Sequence, residues 1–68
     1  MEFKLKSEFI ELDNLLKVLE LASSGAQAKQ IILQGEVKVN GETENRIRRK
    51  LRTGDFVEWR QERINISK

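Results

Sequence analysis

Asn40-Gly41 follows directly on an alternating run, Glu36-Val37-Lys38-Val39. These two features together constrain the chain more than any other, because they specify a hairpin. Alternation sets Val37 and Val39 on one face of a strand and Lys38 on the solvent face. A type I′ turn needs positive φ at both central residues, and Asn-Gly is its strongest short signal. The return strand is expected over Glu42 to about Glu44.

Upstream of Gly35 the spacing is helical. Leu12, Leu15, Leu16 and Leu19 recur at i, i+3, i+4 and i+7, one face of an amphipathic helix. Asp13 lies near its start, where a negative charge suits the dipole. Ala22-Ser23-Ser24-Gly25 interrupts the pattern. Ser24 and Gln27 then form an S-x-x-Q capping box: the hydroxyl accepts an amide three residues on, while Gln27 reaches back. Ala28, Ile31 and Ile32 share a face of the second helix, and Gly35 suits the left-handed position beyond its end. So short a connection folds the two helices against each other.

Phe3 and Leu5 alternate with polar neighbours and suggest a short N-terminal strand. Beyond the hairpin, Ile47 and Leu51 are the expected inward anchors, and Thr53-Gly54-Asp55 reads as a turn. Phe56 to Trp59 and Arg63 to Ile66 read as strands around a tight turn at Gln61-Glu62. Trp59 shares a strand face with Val57 and is expected in the core; Phe56 points the other way, at an edge. The order implies an α+β fold in which an antiparallel helix pair covers one face of a small antiparallel sheet.

Sixty-eight residues, 38% of them apolar, supply one core, so a single domain over residues 1–68 is expected. Such a core rarely nets more than roughly 3–5 kcal/mol. There is no Cys, which removes disulfides and thiolate zinc sites, and no His, which removes the usual general base and the commonest metal ligand. No metal or other cofactor is therefore expected. Glu42 and Glu44 are placed on a surface hairpin with no cleft to shift their pKa, and Asp55 belongs to a turn. No Gly-rich phosphate loop occurs. Catalysis, and with it a small-molecule substrate, is not expected. No apolar run approaches the roughly 20 residues of a membrane helix, and Met1 to Ile10 is too charged for a signal peptide. A cytoplasmic monomer is the expectation.

The net charge of +2 hides an asymmetry. Residues 1–45 hold five basic and eight acidic side chains; residues 46–68 hold eight basic and three acidic. The contrast peaks at Arg46-Ile47-Arg48-Arg49-Lys50-Leu51-Arg52, with five cations in seven residues. Guanidinium forks match phosphate oxygens, so a phosphate polyanion is the natural partner for this segment.

Three groups of residues carry a resemblance: Leu12-Asp13-x-x-Leu16; Ser24-x-x-x-Ala28-x-x-x-Ile32-x-x-Gly35-x-Val37-x-Val39-Asn40-Gly41; and Gly54-Asp55-x-Val57. Over about residues 11–58 the chain resembles the RNA-binding domain named after the small-subunit ribosomal protein S-four. Ser24-Gly25-Ala26-Gln27-Ala28-Lys29 points to a narrower group, the stand-alone bacterial YaaA/YbcJ-type proteins. The resemblance implies a helix pair on a small curved sheet, the alpha-L motif. It also implies an RNA surface running from the start of the second helix to the hairpin and the loop beyond. Carried over by position, the candidates are Ser24, Lys29, Lys38, Asn40, Arg46, Arg48, Arg49 and Lys50. Arg52 is the least favoured cation of the run. Many members place Arg directly after the helix-capping Ser, where this chain has Gly25; a bare amide there can still meet a phosphate.

The implied function is recognition of structured ribosomal or transfer RNA, and so a role in ribosome assembly or translation. A helix of about ten residues gives no long reader for a DNA major groove, whereas a basic loop and helix end can track a folded RNA. Two other readings remain open. One is a ribosome-associated protein adaptor using Glu8, Glu11, Asp13 and Glu20. The other is non-specific DNA binding through the same cations.

Overall fold

In the computed structural model, which describes residues 1–68, the hairpin forms at the expected place. Strand β3 (Val37–Val39) returns as β4 (Glu42–Thr43), with Val39 opposite Glu42. Asn40 and Gly41 have φ of 54° and 87°, the two positive values a type I′ turn needs. Val37 and Val39 are buried and Lys38 is exposed.

The hairpin joins β6 (Phe56–Trp59), which pairs in turn with β7 (Glu62–Ser67). Their connection is Arg60-Gln61, one residue earlier than expected, and Arg60 takes the positive φ of 56°. The N-terminal strand β1 (Glu2–Lys4) forms on the outer edge of β7, but parallel to it, with Phe3 opposite Ile66. The five-stranded sheet, in the order β1-β7-β6-β3-β4, is therefore mixed rather than wholly antiparallel. Alternation in Phe3 and Leu5 fixes a face; it carries no information on strand direction. A second, two-stranded ladder pairs β2 (Ile10–Glu11) with β5 (Lys50–Leu51).

Two helices pack on this framework, α1 (Leu12–Val18) and α2 (Gly25–Leu33). Leu12, Leu15 and Leu16 of α1 and Ala28, Ile31 and Ile32 of α2 meet the sheet residues Val37, Val39, Val57, Trp59, Ile64 and Ile66 in one core of fifteen buried apolar side chains. Leu19 and Ile47 pack against it half-buried, and Leu51 is fully buried. Trp59 lies in the core as expected, with Nε1 donating to Oε1 of Glu36 at 3.1 Å. Phe56 is not a bare edge ring: it is half-buried, and the Arg63 guanidinium sits 4.0 Å from its centroid. No helix is long and apolar enough to cross a membrane.

Ser24 caps α2, its hydroxyl accepting the Gln27 amide at 3.1 Å. The Gln27 carboxamide reaches back to the amide of Ser23, one residue before the cap. Both helices end in the same way. Leu21 and Glu20 amides bond to the carbonyls of Leu16 and Lys17, and Glu36 and Gly35 amides to those of Ile31 and Ile32. This double closure needs a left-handed residue just past the helix. Gly35 supplies it after α2 with φ of 77°, but after α1 the position is held by Glu20 with φ of 60°. A left-handed L-residue costs about 1–2 kcal/mol. Glu20→Gly is therefore expected to stabilise the domain by about 0.5–1 kcal/mol, raising the melting midpoint by roughly 4 °C in a thermal melt. An unchanged or lower midpoint would show that Glu20 makes a compensating interaction.

Candidate nucleic-acid interface

The basic segment from Arg46 to Arg52, which follows β4 and contains β5, is held in place by three devices. The first is Glu44. Its amide donates to the Val37 carbonyl at 2.9 Å, prolonging the hairpin, and its side chain is buried, with the residue 7% exposed. The carboxylate accepts from the Arg46 amide and Nε, both at 3.0 Å to Oε2, and from the outer Arg46 nitrogen at 3.1 Å to Oε1. An Arg49 guanidinium nitrogen donates to Oε1 as well. The expectation that Glu44 sits on a surface hairpin with an unshifted pKa is corrected. Its side chain turns inward because two guanidinium groups, two and five residues on, meet it there.

The second device is a helix end. Glu11 stands at the N-cap of α1 and makes no side-chain capping bond. The first amides of α1 are satisfied by the basic loop instead: Leu12 donates to the Arg49 carbonyl at 2.9 Å and Asp13 to that of Ile47 at 3.1 Å. Those amides have no partner within the helix, so the loop backbone and the helix fix each other. The third device is Leu51, buried beneath the β2–β5 ladder opposite Ile10.

On this base Arg46, Arg48, Arg49, Lys50 and Arg52 line one open depression with no apolar and no acidic residue. The five are not equivalent. Arg46 and Arg49 share Glu44, with side chains 72% and 27% exposed. Arg48, Lys50 and Arg52 have no carboxylate partner within ion-pair distance. Lys50 Nζ and the Arg52 guanidinium lie 4.9 and 5.6 Å from the centroid of the Phe9 ring. Arg52 thus stands inside the group rather than apart from it.

Asn40 borders the depression's neighbour, lined also by Arg46 and Arg49. Its amide group is committed at both ends. Nδ2 donates to Oδ1 of Asp55 at 3.0 Å, and Oδ1 accepts the Phe56 amide at 3.0 Å. Asp55 in turn accepts the Arg52 amide at 2.8 Å. Lys38 projects from the outer sheet face, in register with Thr43 and Glu58. Ser24, the cap of α2, and Lys29 within it are exposed, and neither they nor any residue of α2 lines either depression. Of the residues named from the sequence, the structure therefore brings together Arg46, Arg48, Arg49 and Lys50, joined by Arg52, with Asn40 beside them. The α2 pair stands separately. At Gly25 an added Cβ would meet nothing within 4 Å, so the packing does not demand glycine there. Glu44, Asp55 and Phe9 are the organising residues that the sequence reading missed. The acid two residues before Arg46 was the one available signal.

The side-chain hydrogen bond from Arg46 is the largest influence on Glu44. Burial opposes it, but with the Arg46 amide and Arg49 it holds the carboxyl down at about 2, from an ordinary 4.5. Burial would raise Asp55, yet the Arg52 amide, the Asn40 amide group and the Arg49 and Arg52 charges together lower it. A carboxyl lowered in the folded state binds its proton more readily in the unfolded chain. Its contribution is complete above the ordinary value and is lost as pH falls through the folded one. Stability should thus decline from about pH 4.5 towards about pH 2. Glu44→Gln should cost about 1–2 kcal/mol at neutral pH, since Arg46 is well solvated, and should flatten this acid limb. Urea unfolding at about pH 7 and about pH 3 reads both; an equal acid loss in wild type and variant would place the titration elsewhere.

Comparison with known proteins bears on this arrangement. The S4 domain model matches residues 3–67. "Putative RNA-binding protein YbcJ" of Escherichia coli (strain K12) is 39% identical over 61 residues, covering 90% of this chain and 87% of that protein. "Probable ribosome maturation protein RlbA" of Bacillus subtilis (strain 168) is 44% identical over 52 residues, covering 76% and 73%. The solution structure of Escherichia coli YbcJ, described as revealing an alpha-L motif involved in RNA-binding, superposes with a TM-score of 0.74 at 38% identity. It covers 98% of this chain and 86% of that one. The matched span takes in both helices, the hairpin and the whole basic segment, and on that ground the chain belongs to the S4 domain family.

Proposed function

We propose that this protein is a non-catalytic RNA-binding module that docks structured RNA on the depression formed by Arg46, Arg48, Arg49, Lys50 and Arg52. The observation that carries the reading is the pinned cation group. Five long basic side chains converge on a surface free of apolar and acidic residues, over a backbone fixed by Glu44, α1 and Leu51. Guanidinium and ammonium groups in such a concavity are matched to phosphate oxygens. The names of two relatives, one as an RNA-binding and one as a ribosome maturation protein, support RNA as the partner and the ribosome as the setting, and on that basis ribosomal RNA is the target we propose. Transfer RNA shares the chemistry. Lys38 and Lys29, exposed outside the depression, are further cations for the same polyanion, and Asn40 serves by shaping the hairpin.

Binding of ribosomal RNA fragments and of duplex DNA, each at two salt concentrations, tests the reading. Four to six neutralised phosphates give a slope of log K against log salt of about −3 to −5, with RNA preferred. A flat response would contradict electrostatic docking. Equal affinity for duplex DNA would favour a non-specific binder. No RNA affinity, with retention on ribosomes, would favour the adaptor face of Glu8, Glu11, Asp13 and Glu20.

A further inference from the structure

A groove runs between β1 and α1, lined by Phe3, Lys4, Lys6, Phe9, Ile10 and Asn14 among others. Its volume of about 360 Å³ falls in the range of sites that enclose small organic groups, roughly 300–1,000 Å³. Its walls are mainly apolar, its only charged residues are two lysines, and no acid lines it, although the chain has eleven. The groove is not isolated. Phe9, half-buried in its wall, is the ring beside which Lys50 and Arg52 of the cation depression lie. One aromatic side chain thus joins the two concavities.

We propose that this groove takes an unstacked nucleobase of the RNA whose phosphates lie on the cation depression. The inference rests on the RNA-binding reading and adds a base-binding site to it. Three features select the occupant. A nucleobase is flat and can stack on Phe9 in an apolar slot. The exposed Asn14 side chain makes no hydrogen bond within the chain, while its backbone amide is held by Asp13. Asn offers the donor and acceptor pair that reads a base edge. Lys4 and Lys6 at the rim continue the positive field of Lys50 and Arg52, so the sugar-phosphate chain flanking such a base meets cations on both sides.

Backbone amide NMR resolves the two concavities. The probes are a single-stranded oligoadenosine RNA, the same backbone with abasic riboses, and AMP. Oligoadenosine is expected to shift resonances of both Lys4–Ile10 and Arg48–Arg52. The abasic strand should shift only the second group and bind about 5- to 150-fold more weakly, the range that stacking of one base on an aromatic ring provides. Phe9→Leu keeps apolar bulk and should remove most of that difference. Asn14→Ala, at an exposed position, should reduce it with the fold intact. Equal binding and identical shifts for the two strands would overturn the base site while leaving phosphate docking in place. AMP binding as tightly as the strand would make the groove a free-mononucleotide site and overturn the RNA occupant. No shift with any probe would overturn the base site, and the ribosomal RNA titration at two salt concentrations then decides separately whether phosphate docking stands.

Discussion

Leu51→Ala is expected to leave much of the chain unfolded at 25 °C. Leu51 is wholly buried, lies in the short β2–β5 ladder, and is flanked by Lys50 and Arg52 of the cation group. Truncating a buried Leu to Ala costs about 2–5 kcal/mol, the larger figures where neighbours cannot collapse into the void. Here collapse is hindered. The loop backbone on one side is tied to the first amides of α1, and the opposite strand carries Ile10. A domain of this size has roughly 3–5 kcal/mol to lose, so the deletion consumes most of it. Circular dichroism and a urea titration at 25 °C report the result directly. A cost under about 1 kcal/mol would mean that the basic segment is a loose appendage, and the pinned depression would lose its physical basis. RNA affinity should fall with the fold in this variant, which makes it the reference for changes that spare the fold.

Much of the fold was legible because its signals are local. The Leu12, Leu15, Leu16 stripe, the Ser24 cap and the Asn40-Gly41 turn each draw on a few neighbouring residues, and each forms in the structure. The parts that escaped are those set by distant residues. Pairing of Phe3 with Ile66 joins the two ends of the chain, and nothing in either segment encodes its parallel sense. The β2 and β5 strands are two residues each, too short to show a period. The cation cluster was visible as composition, but its division was not. Whether an Arg is free or paired depends on where Glu44 turns, and that depends on the hairpin register placing Glu44 over Val37. The missing side-chain capping bond of α1 is the same lesson seen from the helix. Glu11 makes no capping bond, and the solution came from carbonyls some thirty-five residues on, at Ile47 and Arg49.

That division of the cluster makes the second large effect specific. The triple variant Arg48→Ala, Lys50→Ala, Arg52→Ala is expected to bind RNA about 100-fold more weakly at roughly 0.15 M salt, with the salt slope shallower by about 2–3. None of these three cations is in ion-pair contact with a carboxylate, so their charge is available to phosphate without breaking an existing pair. Arg46 and Arg49 must share Glu44 with any incoming phosphate, and part of their charge is already balanced. Neutralising that pair should therefore cost less RNA affinity and more stability, because Glu44 would keep only the Arg46 backbone amide as a donor in a buried position. The triple variant touches no buried carboxylate. It gives up the approach of Lys50 and Arg52 to the Phe9 ring, worth about 0.5–1 kcal/mol each at an exposed site. It should still fold, as circular dichroism would show. If it binds RNA as wild type does and with the same salt slope, the depression is not the docking surface. Lys29 and Lys38, which stand outside it, would then be the cations to remove next.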